Sequence, residues 1–233
     1  MTLAIIQARM TSKRLPGKVM ADLGGKPLLH YMVDRVRSSK MLHNIVVATT
    51  TNAADDPVTE LCGNLDVDVF RGSEQDVLGR FFEASQLYPD NLIVRLTADC
   101  PLIDAALIDA VVLMFGDGAY DYVSNTVDRT FPDGLDVEAF SKRTLEITHD
   151  LACRSEEREH VTPFMIEGGA ASAPFRVGQY RFAADFGHLR WTVDTPQDLD
   201  RIRKLEARLA GEFTWLDALA EATKDPSLLG TQA

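Results

Sequence analysis

Arg9, Lys13, Arg14 and Lys18 fall within one ten-residue stretch, with Ser12, Pro16 and Gly17 set among them. The stretch follows the apolar run Leu3–Ile6 almost at once. Guanidinium forks and ammonium charges match phosphate oxygens, a hydroxyl adds a donor, and a glycine lets main-chain N–H groups turn inward. Such a set at the end of a strand suits a polyphosphate. A solvated charged turn would account for the cations but not for the serine, proline and glycine between them. Lys26, in Gly-Gly-Lys-Pro, is either one more charge at this rim or a plain lysine before a helix.

Two aspartates could add a metal ion. Asp99, in Ala98-Asp99-Cys100-Pro101, follows an apolar run, and Pro101 delays the next helix. A carboxylate there can hold Mg²⁺, which takes hard oxygen ligands from few protein groups and from phosphates. Helix capping is the alternative, although Asp104, three places before Leu107, fills that role better. Asp194 lies in Trp191-Thr192-Val193-Asp194-Thr195-Pro196. Thr195 before Pro196 suffices as a cap, leaving Asp194 either a second cap or a ligand opposite Asp99.

Other candidates carry weaker patterns. Gly72-Ser73-Glu74-Gln75-Asp76 follows Arg71 and opens a helix, with Ser73 as N-cap and Asp76 in an approximate capping-box place; a nucleobase pocket is the functional alternative. Asp136 and Glu138 alternate with Leu135 and Val137, so they line a sugar pocket or face water. His160, in Arg-Glu-His-Val, is a structural helix residue or a substrate contact.

The elements that must position these groups alternate in type. Strands are expected at 3–8, 45–48, 67–70 and 92–96, with helices at 27–39, 57–64, 74–87 and 104–115, and the threonine run after residue 48 is read as loop. This order predicts an α/β fold with a doubly wound, mostly parallel sheet covered on both faces. Beyond Gly118, strands are expected at 120–124, 135–140, 176–182 and 189–193, and helices at 141–150, 155–167, 196–209 and 214–222, with a turn at 132–134 and a loop at 168–174. A single domain over 1–233 is expected, with 118–188 elaborating one edge. Ligands sit beyond the carboxyl ends of strands in such sheets, so the basic loop, Arg71–Ser73, Asp99 and Asp194 should share one rim.

Bulk properties narrow the partners. The chain has 233 residues and a net charge of −11, which argues against a general nucleic-acid or membrane-surface binder. Residues 1–40 hold eight Lys and Arg against two Asp, a net of +6 that leaves −17 on the rest. A basic end on an acidic body fits a local anion site. Cys62, Cys100 and Cys153 have no C-x-x-C spacing and read as reduced thiols. No signal-peptide pattern or membrane-length apolar run stands out, so a cytoplasmic protein is expected.

On Ala8-Arg9 through Lys18, Arg71 to Arg80, Arg95 to Asp104, Pro132 to Phe140, Glu159-His160-Val161 and Val193-Asp194-Thr195-Pro196 through Arg203, the chain resembles the cytidylyltransferase family. It is most similar to the type named for spore coat polysaccharide biosynthesis protein F. More distant similarity is to 3-deoxy-manno-octulosonate and acylneuraminate cytidylyltransferases. The resemblance implies a nucleotide-diphospho-sugar transferase (GT-A-like) fold, Mg²⁺-dependent CMP-sugar synthesis from CTP and a sugar, for cell-surface or spore-coat polysaccharide, and commonly a homodimer. It maps phosphate roles onto Arg9, Ser12, Arg14 and Lys18, and metal roles onto Asp99 and Asp194. Base contacts fall near Ala8, Arg9, Arg71, Ser73 and Asp76, and Asp136, Glu138 and His160 are left for the sugar. The octulosonate enzymes carry Gly-Asp-Glu-Pro where this chain has Ala98-Asp99-Cys100-Pro101. Two alternatives stand beside this: a glycosyltransferase of the same fold, and a non-catalytic nucleotide-binding scaffold. Asp-x-Asp, the usual metal motif of such glycosyltransferases, occurs only at Asp66–Asp68 and Asp198–Asp200.

Overall fold

A computed structural model describes residues 1–167 and 175–231. Strand β1 (Thr2–Gln7) is an interior strand of the sheet, with Leu3, Ala4, Ile5 and Ile6 all fully buried. An unbroken apolar run is what a parallel strand covered on both faces requires. β1 pairs in parallel with β4 (Asn44–Thr50) and with β6 (Leu92–Thr97), and β4 pairs in parallel with β5 (Asp68–Gly72). β7 (Tyr122–Ser124), β8 (Glu138–Ser141) and β9 (Val177–Gln179) extend the sheet beyond β6, in the order β5-β4-β1-β6-β8-β7-β9. β8 is antiparallel to both β6 and β7, so the added edge departs from the parallel rule. A small hairpin, β2 (Asp22–Leu23) and β3 (Lys26–Pro27), stands apart.

Helices cover both faces. α1 (Leu28–Arg37), α2 (Asp56–Asn64), α4 (Ala105–Gly116), α8 (Pro196–Glu206) and α9 (Trp215–Thr223) pack on the side of Ala4, Ile6, Val94 and Leu96. α3 (Val77–Gln86), α5 (Lys142–Leu151) and α7 (Pro163–Glu167) pack on the side of Leu3, Ile5 and Ile93, and α6 (Ser155–His160) packs against α3. Period-two alternation along β1 sends neighbouring side chains into these two cores. The α/β, mostly parallel fold is thus present, and residues 118–188 supply β7–β9 and α5–α7 at one edge.

Several expected boundaries move. Thr49 and Thr50 belong to β4, because β5 runs on to Gly72 and pairs with them. The helix expected from residue 74 begins at Val77, capped by Asp76, whose side chain accepts from Gly79 N. The helix expected over 155–167 is two: Val161 has φ +71°, and Thr162 N donates to His160 O at 2.8 Å, a γ-turn that ends α6 before Pro163 opens α7. The strand expected at 189–193 is absent. Trp191 and Val193 are buried as their alternation requires, but their N–H groups donate to Asp133 O and Asp99 O, on two different loops, so no ladder forms. The loop expected at 168–174 lies outside the described residues.

Candidate active site

The basic loop leaves β1 and folds back on itself. Met10 O accepts from both Ser12 N (2.9 Å) and Gly17 N (2.8 Å). Gly17 sits at φ +72°, a left-handed conformation that favours glycine, and a short 3₁₀ turn starts at the next residue, Lys18. That turn carries the Lys18 side chain inward, under the loop.

Lys18 Nζ donates to Asp99 Oδ2, Asp194 Oδ1 and Val193 O, each at 2.9 Å. The lysine is 9% exposed. Burial by itself would lower the pKa of its ammonium, but the Asp99 charge, with hydrogen bonds to Asp99 and Asp194, holds it above the ordinary lysine value. Burial likewise pushes the Asp99 carboxyl up, and the Lys18 charge, with hydrogen bonds from Thr97 and Lys18, brings it below the usual carboxylate range. The sequence places these partners 81 and 176 residues apart. Parallel pairing of β1 with β6 brings Lys18 to Asp99, and Val193 N, donating to Asp99 O at 2.8 Å, ties in the segment that bears Asp194.

Asp194 is free for this role because α8 is capped without it. Thr195 Oγ1 accepts from Asp198 N, and Asp198 Oδ2 accepts from Thr195 N, which forms a capping box. Asp104 in turn caps α4 through Leu107 N at 3.0 Å, leaving Asp99 uncommitted as a cap. The second oxygen of Asp194 receives Arg190 Nη2 at 2.5 Å and lies 2.9 Å from Arg14 Nη2. Arg14 is itself 63% exposed along its side chain, so it can turn toward a ligand.

A cavity of ≈ 110 Å³ opens beside this cluster, lined by Ala8, Arg9, Ser12, Lys18 and Asp99, with Gln7 and Thr97 on its wall. Five residues expected at the site therefore share one hollow at the carboxyl ends of β1 and β6. Arg9 reaches Glu74 at 3.6 Å, and Thr11 Oγ1 donates to the same carboxylate, so the loop is joined to residues 73–76. A second hollow of ≈ 220 Å³, lined by Phe131, Phe182 and Trp215, is apolar and lacks cations.

The remaining candidates, His160 apart, hold hydrogen bonds or ion pairs within the chain. Arg71 donates to Thr50 O, Asn52 O and Asp56 and clamps the end of β5. Ser73 is not the N-cap; its hydroxyl accepts from Asp76 N at 3.0 Å. Asp76 caps α3 and holds the Arg158 guanidinium, and although burial pushes its carboxyl up, the Arg158 hydrogen bond holds it below the ordinary value. Asp136 forms a two-pronged pair with Arg129, at 2.5 and 2.9 Å. Glu138 does not face water: it is 5% exposed, pairs with Arg95 and accepts from Tyr122 Oη and Thr162 Oγ1. The alternation with Val137 holds, but the opposite face is covered as well, by Thr162 and by Phe164 and Met165 of α7. His160 is exposed at the end of α6.

Sequence reasoning missed Arg190. Its signal is the alternation of buried Leu189, Trp191 and Val193, which sets Arg190 and Asp194 on the other side. Gln7, buried at its Oε1 atom without a hydrogen-bond partner, and Arg80, whose Nε and Nη2 are likewise unpartnered, were also missed. Burial lowers the Arg80 pKa to about 10, and its Nη1 donates to Ser73 O at 2.5 Å.

The sequence model of the cytidylyltransferase family matches residues 3–218. The chain belongs to this family. It is 36% identical over 223 residues to the spore coat polysaccharide biosynthesis protein SpsF of Bacillus subtilis, covering 90% of this chain and 88% of that one. A solved cytidylyltransferase from Leptospira borgpetersenii superposes with a TM-score of 0.92 at 34% identity, over 100% of this chain and 98% of the other. The fold also matches a CMP:2-keto-3-deoxy-manno-octonic acid synthetase complexed with CTP, with a TM-score of 0.69 at 18% identity, over 89% and 98% of the two chains.

Among the described residues no helix is long and apolar enough to cross a membrane, and no three His, Cys, Asp or Glu side chains converge as a metal site. What does converge, on one buried point, is two carboxylates and a carbonyl. That donor set fits Mg²⁺, which commonly takes one or two carboxylates and completes its octahedron with phosphate and water.

Proposed function

We propose that this cytidylyltransferase-family protein joins CTP to a sugar, most simply a sugar acid, giving a CMP-sugar and pyrophosphate. The observation that carries the reading is the meeting of Lys18, Asp99 and Asp194 beside a cavity lined by Arg9 and Ser12. The synthetase that shares the fold, named for 2-keto-3-deoxy-manno-octonic acid and complexed with CTP, supports CTP and the sugar-acid class.

A hydroxyl oxygen of the sugar attacks the α-phosphorus and its proton passes to solvent, while the bond from that phosphorus to the bridging oxygen breaks and pyrophosphate departs with the electron pair. Negative charge gathers on phosphoryl oxygens, so fixed cations and positioning dominate. Arg9 and Arg14 bind the departing pyrophosphate, and Ser12 with the main chain of the loop orients it. Asp99 and Asp194 are the residues that would hold Mg²⁺, which supplies Lewis-acid polarisation of the α-phosphate when bound. The unpartnered Arg80 nitrogens behind Ser73 support a base pocket on that side of the loop.

The glycosyltransferase alternative is disfavoured by its own motif. Asp198 is held in the capping box and by Arg190 and Arg201, and Asp68 accepts from Tyr88 Oη. A homodimer completes the reading, supported by exposed Leu113 and Leu216, the latter beside the aromatic hollow. Three unpaired thiols are compatible with a cytoplasmic setting.

Pyrophosphate release measured with each of the four ribonucleoside triphosphates and a panel of sugar acids and neutral sugars tests the reaction. CTP with one acceptor should release pyrophosphate well above the other nucleotides. Consumption of a nucleotide-sugar donor without pyrophosphate would move the protein to the glycosyltransferases, and nucleotide binding without any turnover would make it a scaffold.

A further inference from the structure

Lys18 was expected to lie along a phosphate chain. It lies instead between the two aspartates, bonded to three oxygens from two loops. Each carboxylate turns one oxygen to it while its other oxygen faces another neighbour. Asp194 Oδ2 faces Arg190 and Arg14, and Asp99 Oδ1 faces the Cys100 thiol at 3.6 Å. The pair is thus oriented toward a single cation.

From this geometry we infer that Lys18 is a built-in stand-in for the metal: it occupies the cation position in the free protein and yields it only when a nucleoside triphosphate offers the ammonium other oxygens. The inference rests on the metal reading above and adds an order of events to it. An ammonium and Mg²⁺ cannot share one point between two carboxylates. Metal entering the free protein would strand a buried ammonium without counter-charges, which is costly. Phosphate oxygens at the adjoining cavity remove that cost, because the cavity already has Lys18 in its wall. Metal and nucleotide then bind cooperatively, each strengthening the other by the same factor.

Mn²⁺ alone, followed by its electron paramagnetic resonance signal, is the probe. Lys18→Met and Lys18→Gln should bind one Mn²⁺ without nucleotide about 10- to 100-fold more tightly than wild type does. Adding Asp99→Asn to Lys18→Gln should release that ion. Thermal melting gives a readout independent of activity: Mn²⁺ should raise the Tm of the lysine variants and leave that of wild type unchanged. Lys18→Gln keeps a donor for the Val193 carbonyl, so it serves if the methionine variant does not fold. Equal Mn²⁺ affinity in wild type and Lys18→Gln overturns the stand-in role, and so does micromolar Mn²⁺ binding by free wild type.

Calorimetry of CTP binding with and without Mn²⁺ separates the two levels. If Mn²⁺ tightens CTP binding to wild type but not to Asp99→Asn while the lysine variants bind Mn²⁺ no better, the metal reading stands and the Lys18 role falls. If Asp99→Asn responds to Mn²⁺ as wild type does, both fall.

Discussion

Asp99 has two separable duties, and two measurements tell them apart. In its proposed role as a metal ligand it should be nearly irreplaceable: Asp99→Asn should lower turnover by about 10²–10³-fold or more, the scale of losing one preorganised electrostatic group at a reacting phosphate. As half of a buried pair it contributes to stability in a pH-dependent way. Its carboxyl is held below the ordinary value despite burial, chiefly by the Lys18 charge, so the contribution is present above the unfolded value of about 3.9 and fades as pH falls through the folded one. Denaturant unfolding followed downward from about pH 5 to about pH 2 should show a steeper acid loss for wild type than for Asp99→Asn; parallel slopes would dissociate Lys18 from Asp99. Arg14 differs in being exposed at the rim. Arg14→Ala should weaken CTP binding about 10-fold or more, the worth of a charge-assisted bond, and leave CMP within about two-fold. Equal losses for both nucleotides would remove it from the pyrophosphate position. The meeting of the two aspartates with the basic loop was legible because strand-end loops collect at one rim. Arg190 was not, since its value lies in reaching Asp194, Asp198 and Asp133, contacts that exist only after folding.

The loop after β1 works because its backbone is set by one glycine. Gly17, at φ +72°, closes the loop onto Met10 O and delivers Lys18 to its carboxylates through the next turn. Gly17→Ala should cost roughly 1–2 kcal/mol for the left-handed backbone, a drop of about 2–8 °C in Tm for a chain of this size. It should also raise the KM for CTP, because Lys18 follows directly. An unchanged Tm would mean that the loop tolerates another geometry and does not fix the lysine. The same logic explains which elements could be read from the chain and which could not. β1, β4 and β6 follow from apolar runs because central parallel strands are buried on both faces. The segment 189–193 has equally good alternation and two fully buried residues, Trp191 and Val193, yet forms no strand. Periodicity reports which side chains are buried; it does not report whether the neighbours of the main chain form one strand or several loops. The split of α6 from α7 had a visible cause in Pro163, but the γ-turn at Val161 that accommodates it had none.

The whole molecule carries its charge unevenly. A net +6 within residues 1–40 stands on a chain of net −11. Folding neutralises part of that excess: Lys18, Lys26 and Arg9 all have acidic partners. Lys13 is exposed and, among the described residues, has no ion pair, and Arg14 is mostly solvent-facing. The mouth of the cavity therefore keeps positive charge while the surrounding surface repels anions. Such an arrangement steers a triphosphate toward the site over distances comparable to the screening length, about 10 Å at 0.1 M salt. Stopped-flow association of CTP should slow several-fold between roughly 0.02 and 0.5 M NaCl as screening strengthens. Lys13→Glu should reduce the association rate at low salt and leave the dissociation rate nearly unchanged, since Lys13 makes no contact with the Lys18–Asp99–Asp194 cluster. The difference between wild type and Lys13→Glu should shrink as salt is raised. A Lys13→Glu effect that appears in dissociation and persists at high salt would make Lys13 a direct phosphate ligand and not a guide for the approaching nucleotide.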